Sequence, residues 1–441
     1  MTSIVGAFAM PWIGYFCLMA VLPIRYDSVE LSNALSLLVI FVVMTAGCAT
    51  LLGAFHSAAA KPQDAGVLCA ARPLDRSELN HIVMLGLVLS GVGLALLAYV
   101  RVSVQGIDYS QGLAVARELW RVEGEARSGV SSPLSIPGYA LAFFFFASTF
   151  LGHLHWEYLS RWSRCHLVVG GLLLVVGHSV LSGGRSVLLL QLVSVVGVAV
   201  IRKAQDRKSF PGRFWRGALF ATVSILAAIS YFLYVFSERA IASGVPAEAY
   251  AQSAIAFMGA APTEVFLAIP SLPEPLASLT HFCVIAGAYA THSVGTIASV
   301  MEYSSHQGVA TFVGAREFLA AFGLMHESEG WVLAGAFLSL PGALWYDFGV
   351  LGVLAGAGST GAALAGVGWI IRNGSGGGIS VGFAAATLIT AAVSPLIFAL
   401  DSLAFPFMVL GYLGLASYSH LVFGSRNWWK VGRRCCLLSV A

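Results

Sequence analysis

The sequence predicts an all-α polytopic membrane protein, on three observations. Its 441 residues are 58% hydrophobic, and the mean hydropathy is +0.83. Charged residues make up only 10%, against about 25% in a soluble domain. The apolar runs are long and lack the two-residue alternation of a membrane β-barrel. A net charge of +3 is too small to attract nucleic acid, so the bilayer is the partner that composition demands. No cleavable signal peptide is expected, because Met1-Thr2-Ser3 supplies no basic n-region and no small-residue cleavage site follows.

Taken in order, runs of bilayer-crossing length cover 4–24, 31–55, 81–100, 134–152, 166–182, 186–201 and 217–236. Three more cover 348–371, 379–400 and 403–423. Their direction follows from two basic segments. The loop 202–216 holds Arg202, Lys203, Arg207, Lys208, Arg213 and Arg216 against a lone Asp206, and the tail after 424 holds Arg426, Lys430, Arg433 and Arg434 with no acid. Both are expected in the cytoplasm, which puts the two termini, 56–80, 153–165 and 372–378 there as well. The outward face then receives 25–30, 101–133, Gly183–Arg185, 237–347 and Asp401. The chain 1–441 is thus one integral membrane domain with a large outward segment.

Within the outward loop 101–133, residues 111–127 form an amphipathic stretch. Leu113, Leu119, Trp120 and Val122 are apolar, while Arg117, Glu118, Arg121 and Glu125 are charged. Such a helix lies along the membrane surface, where Arg117 and Arg121 could also line an entrance. In 237–347, a polar arc of His281, Tyr289, His292, Thr296, Ser299 and Tyr303 recurs at helical spacing between 281 and 303. This helix either dips into the membrane and returns, giving about ten spans, or crosses together with 331–346, giving about twelve. Prolines 246, 262, 270, 273 and 275 before it favour irregular structure. Trp345-Tyr346-Asp347-Phe348-Gly349 reads as a headgroup-level segment in which Asp347 either caps the following helix or does chemistry. Gly356-Ala-Gly-Ser-Thr-Gly361 matches a dinucleotide fingerprint only formally, since no strand precedes it; small residues there serve close helix packing. Residues 373–378 form a flexible turn.

The seven cysteines contain no CxxC pair, and His153-Leu154-His155 lacks a third ligand, so no disulfide framework, metal site or cofactor is expected. Neither a P-loop nor a metalloprotease or nucleophile-elbow signature occurs. Polar groups that need explaining collect on the outward side instead: Arg25, Arg185, Glu238, Arg239, His281, His292, His306, Arg316, Glu317, His326, Asp347 and Asp401. The chain is organised around His178-Ser-Val-Leu-Ser-Gly-Gly-Arg185-Ser186, between two apolar runs, where His178, Ser182 and Arg185 share a helical face. Arg185 either snorkels to headgroups or holds a phosphate, which its planar fork suits. Arginines beside histidines and carboxylates fit an anionic, lipid-linked substrate with a proton to move.

The chain resembles the Wzy-type O-antigen polymerases, the oligosaccharide repeat unit polymerases of bacterial inner membranes. The likeness rests on Leu181-Ser-Gly-Gly-Arg-Ser-Val-Leu-Leu-Leu190, on Tyr346-Asp-Phe-Gly-Val-Leu-Gly352, and on the order of loops and spans. It implies a GT-C-like polymerase or ligase architecture and a metal-independent glycosyltransferase without cofactor. Its donor and acceptor would be undecaprenyl-diphosphate-linked oligosaccharides, joined at the periplasmic face into O-antigen, capsule or exopolysaccharide. Arg185 would neutralise the departing diphosphate. Arg239 or Arg316 would hold the second carrier, with His281 and Tyr289 as further substrate contacts. Glu238, His292 or Asp347 would take the acceptor's proton. A chain-length regulator and a flippase are the partners it implies. An O-antigen ligase shares this architecture, and a lipid-linked oligosaccharide flippase is the competing class, though the chain shows no internal repeat of the kind transporters carry.

Overall fold

The computed structural model describes residues 2–59, 72–113, 115, 116, 119, 132–182, 186–209, 226, 230, 233–302, 310, 311, 338–374, 376–402 and 404–432. Most of the predicted span 217–236 and of the amphipathic stretch 111–127 lies outside them, as do Arg185, Arg316 and the tail beyond 432. The chain is an all-α polytopic membrane protein. Among the described residues, eight helices are long and apolar enough to cross a bilayer.

In chain order these are α1 (Thr2–Val21), α2 (Leu31–Ala59) and α3 (Arg76–Tyr99) with its extension to Val104. Next come the pair α4 (Ser135–Ala142) and α5 (Phe144–Leu154), which turns at Phe143, then α6 (Arg161–Ser182) and α7 (Ser186–Ala204). Helical residues 233–243, α8 (Ala247–Phe257), α9 (Glu264–Leu267), α10 (Glu274–Thr291) and α11 (Ser293–Glu302) follow. The chain closes with α12 (Leu340–Asn373), α13 (Gly378–Val393) and α14 (Ala404–Phe423). α13 has 16 residues, about 24 Å of helix, and needs the irregular 394–398 to complete a crossing. The polar segment predicted at 281–303 is a helix pair broken at His292 and bent by 55°; counted as one crossing, it makes nine.

Close packing rests on small residues. α2 runs along α12, and a Cβ on Gly361 would stand 2.6 Å from Cys48 Cβ and 2.8 Å from the Thr45 carbonyl. Of the glycines in 356–361, Gly361 serves the close helix approach expected of them, while Gly356 faces Leu344 of its own helix and Gly358 has nothing within 4 Å. α3 likewise meets α4 where Gly93 faces the Ala142 backbone, a Cβ there falling 2.3 Å from its nitrogen. α12 begins at Leu340 behind a Ser339 cap, eight residues before the predicted start, and it breaks at Gly349, where φ is +64° and ψ is −158°. Asp347 therefore lies within the first arm and is not the cap of this helix. Only glycine adopts that backbone at little cost.

Two small sheets clip the bundle. β1 (Ile24–Tyr26) pairs antiparallel with β3 (Ala260–Pro262), and β2 (Arg72–Asp75) pairs parallel with β4 (Arg426–Gly432). The second sheet marks the basic end, where Pro73, His155, Ala204–Arg207, Arg372–Gly374 and Lys430 come together. The loops predicted to share a compartment do gather at one end of the bundle. Arg202, read from sequence as a loop cation, is instead fully buried. It donates to the carbonyls of Lys208 (2.7 Å) and Leu154 (2.9 Å) and pairs with Glu157, which also takes Arg207 at 2.9 Å. Arg426 grips Glu78 through Nε and Nη2, at 3.0 and 2.9 Å. His155 donates from Nε2 to the Trp428 carbonyl at 2.8 Å.

Two outcomes follow from this packing. Gly361→Leu lowers thermal stability in detergent by about 1–3 kcal/mol, while Gly358→Leu, whose site has nothing within 4 Å, leaves it near wild type. Acid unclasps the basic end. Burial pulls the His155 imidazole from 6.5 down to about 4, so between those values the unfolded chain binds a proton that the folded chain refuses. Burial alone would raise Glu157, but hydrogen bonds from Arg202 and the Arg202 and Arg207 charges bring it from 4.5 to about 2. The melting temperature therefore falls as pH drops from 6.5 to 4, and keeps falling toward 2. Glu157→Gln flattens the lower part of that profile.

Candidate polar site

At the end opposite the basic loops, α3 does not stop at Tyr99 but widens into a π turn over Val100–Val104. The Gln105 N–H reaches back to the Val100 carbonyl at 2.9 Å and the Ile107 N–H to that of Arg101 at 3.0 Å. π turns of this kind re-aim a side chain. Here Arg101 turns inward and is 7% exposed. Its guanidinium donates to Gln105 Oε1 at 2.8 Å and to the Tyr139 hydroxyl at 3.0 Å.

Tyr139 stacks on Phe407, and its ring centroid lies 6.3 Å from that of His178. His178 is 4% exposed against Phe143, and neither of its ring nitrogens has a hydrogen-bond partner; the hydroxyl of Ser179 has none either. The loop after the π turn folds over this group. Tyr109 donates its hydroxyl to the Leu181 carbonyl at 3.0 Å, and burial raises its pKa against the pull of Arg101, so it stays a donor. Asp108 accepts from Ser110 and Gln111, which holds its carboxyl below the usual range and fixes the turn. Gly112 (φ +100°) then passes so close to Glu238 that a Cβ would stand 3.1 Å from Oε2. The site thus spans the end of α3, the end of α6 and helical residues 233–243. Ser182, whose hydroxyl donates to the His178 carbonyl, is the last described residue before the segment that carries Arg185.

The candidates named from sequence divide into three groups. Glu238 and Arg239 are half-buried at this site, and among the described residues neither has a hydrogen-bond or ion-pair partner; Arg239 Nη2 is buried. Phe236, three residues before Arg239 on the helix, packs on Tyr289 at 5.7 Å, and Tyr289 in turn lies 6.2 Å from His292. These four candidates are therefore neighbours.

His292 sits in the break between α10 and α11, with Nδ1 2.6 Å from the Tyr289 carbonyl. Around it the exposed backbone is satisfied by tyrosines. Tyr15 Oη accepts the Val294 N–H at 3.0 Å and lies 3.1 Å from the Thr291 carbonyl, and Tyr26 Oη meets Thr291 Oγ1 at 3.0 Å. His281 stands apart on the first half of α10, buried against Phe266 with Nε2 unpartnered. Asp347 is 7% exposed and accepts the N–H groups of Ala310 (2.9 Å) and Thr311 (2.5 Å) and the Thr311 hydroxyl. A carboxylate so engaged ties a chain segment to a helix break; it is poorly free to take a substrate's proton. Arg185 and Arg316 lie outside the described residues.

Sequence reasoning missed Arg101, Tyr109 and Tyr139. The one available signal was an arginine set among Val100, Val102 and Val104 directly after an apolar run. His153 and His155 are both committed to carbonyls, of Thr149 and Trp428. Among the described residues no group of three or more His, Cys, Asp or Glu is arranged to hold a metal ion. No family model, curated protein or solved structure matches the chain.

Removing the Asp347 carboxylate strands buried donors. Asp347→Ala is expected to cost on the order of 3 kcal/mol, read as a lowered unfolding midpoint, with Asp347→Asn recovering part of it.

Proposed function

We propose that the chain is a membrane-embedded glycosyltransferase that polymerises undecaprenyl-diphosphate-linked oligosaccharide repeat units at the end opposite its basic loops. The positive-inside rule assigns that end to the periplasm of a bacterial inner membrane. The observation that carries the reading is the buried Arg101, held by Gln105 and Tyr139 beside His178, close to where α6 ends at Ser182, three residues before Arg185 in the sequence. A guanidinium held in place before the substrate arrives needs little reorganisation to meet the charge of an anion.

In this reading a hydroxyl of the acceptor sugar attacks the anomeric carbon of the donor. The new glycosidic bond forms as the bond from that carbon to the diphosphate oxygen breaks. The diphosphate departs with the electron pair, and Arg101 and Arg185 neutralise its charge. Among the carboxylates considered, Glu238 is the one free to accept the acceptor's proton. Arg239, with Tyr289 and His292 near it, would hold the second carrier.

The charge distribution favours chemistry at one end over passage through the bundle. Among the described residues, the buried acids and arginines are Asp75, Glu78 and Arg202 at the basic end and Arg101 and Asp347 at the other. A flippase would need such groups at intermediate depth. A ligase uses the same donor and differs in its acceptor, so the product decides between them.

The test is a gel ladder of lipid-linked glycan made in proteoliposomes from a repeat-unit substrate, with protein levels matched. Wild type should give a ladder. Arg101→Gln, Arg185→Ala and Glu238→Gln should each reduce it at least about 100-fold, the loss typical of removing a transition-state charge or general base. Chain growth that is absent in wild type, or unchanged in all three variants, overturns the reading; movement of labelled substrate without growth would favour the flippase.

A further inference from the structure

We infer that residues 264–279 lie in the surface of the bilayer at the end opposite the basic loops, with their exposed aliphatic side chains among the lipid tails. This surface is separate from the polar site and has the same partner whatever that site does.

Hydrogen bonds to the end of α1 set the level of the strip. α1 runs from the basic end, where Ile4 lines the cavity, to Val21, the last residue of its crossing. Two residues further on, the Pro23 carbonyl accepts both the Thr263 N–H at 3.2 Å and the Thr263 hydroxyl at 2.9 Å. The pairing of β1 with β3 reinforces this, with Ile24 opposite Pro262. α9 begins at the next residue, Glu264. It is therefore held where α1 leaves the lipid.

At that level α9 divides its side chains between the bundle and the surroundings. Phe266 is buried against His281 of α10, while its neighbours Val265 and Leu267 are 70% and 55% exposed. Leu272, Leu276 and Leu279 continue the exposed row, and Ile269 and Ala277 are the buried residues between them. On α10 the row keeps to one face, because the exposed Leu276, Leu279 and Cys283 stand at i, i+3 and i+7. Ala277, His281 and Ile285 are buried on the other. α10 is the first arm of the bent pair that is long and apolar enough to cross. The strip thus extends a face that the bilayer already covers.

Composition names the partner. From 240 to 301 the acids are Glu248, Glu264 and Glu274, and there is no lysine or arginine, so charge draws no anionic surface to this segment. The exposed row is valine and leucine throughout. Affinity between proteins comes mainly from tryptophan, tyrosine and arginine, with leucine and valine under-represented. Lipid tails require only apolar area.

The test uses the full-length protein in phosphatidylcholine nanodiscs. Wild type is photolabelled with a phosphatidylcholine that carries a diazirine in its acyl chain, and mass spectrometry maps the adducts. Adducts are expected across residues 265–279. In a second measurement a membrane-impermeant maleimide is followed at Val265→Cys and Leu276→Cys. Asp27→Cys serves as the water-exposed reference, since that side chain is 55% exposed just after β1. Peptide mapping separates these sites from the native cysteines. The thiolate is the reactive form and apolar surroundings suppress it, so both positions should react at least about tenfold more slowly than the reference. Absence of adducts on 265–272, or labelling of Val265→Cys as fast as Asp27→Cys, overturns the inference. A disulfide joining two copies at Val265→Cys, in place of lipid adducts, overturns it as well and puts a second copy on the strip.

Discussion

A peptide group that leaves a helix inside a bilayer finds no water, and the end of this bundle opposite the basic loops is built around that constraint. Helical geometry is interrupted there four times: at the π turn after Tyr99, at Phe143, at His292 and at Gly349. Two of these breaks are held by side chains from distant elements. Tyr15 on α1 and Tyr26 on β1 serve the His292 break, and Ser293 Oγ closes it by donating to the Pro395 carbonyl at 2.8 Å. Near the Gly349 break, Asp347 collects the backbone of residues 310 and 311. The polar residues of this region are thus divided between those that maintain the backbone and those left available, and Glu238, Arg239 and His178 belong to the second set.

The two ends of the bundle use charge differently. At the basic end arginines are matched to acids, Arg202 and Arg207 to Glu157 and Arg426 to Glu78. Pairing of that kind fixes geometry and consumes the charge of both partners. At the opposite end Gln105 and Tyr139 orient Arg101, and among the described residues Arg239 stands half-buried without an acid. A cation without an acid beside it keeps its field, which is the arrangement a site for anions requires.

Much of this architecture is legible in the sequence because hydropathy and basic loops depend on the bilayer rather than on tertiary contacts. The loops assigned to one compartment do converge, and Gly361 does bring α2 and α12 together. Other features are set by long-range partners and leave no local trace. Nothing near Asp347 in sequence announces that it will bind residues 310 and 311, and a loop arginine such as Arg202 looks solvated until Leu154 and Glu157 are folded around it. Arg101 was hidden for a related reason. Whether an apolar run ends at Tyr99 or continues as a wider helix is decided by Gln105 and Tyr139, the second of which is 38 residues away. The polar arc at 281–303 was readable as an arc, yet its bend depends on Tyr15, which sits in an otherwise apolar helix.

The parallel pairing of β2 with β4 has a bearing on how the chain is made. Glu78 and Arg426 are 348 residues apart, so at about 5–20 residues per second the strand edge at Arg72–Asp75 waits roughly 20–70 s for its partner. During that interval six of the eight long helices emerge, from α3 to α14, while Asp75 can already cap α3 but the sheet beside it stays open. The basic end is therefore closed by the last of the described strands to be made. A chain that stops short of residue 426 keeps the polar groups of the opposite end, but it has an open strand edge at β2 and a Glu78 without Arg426. Those two features distinguish a copy that lacks β4 from one that has it.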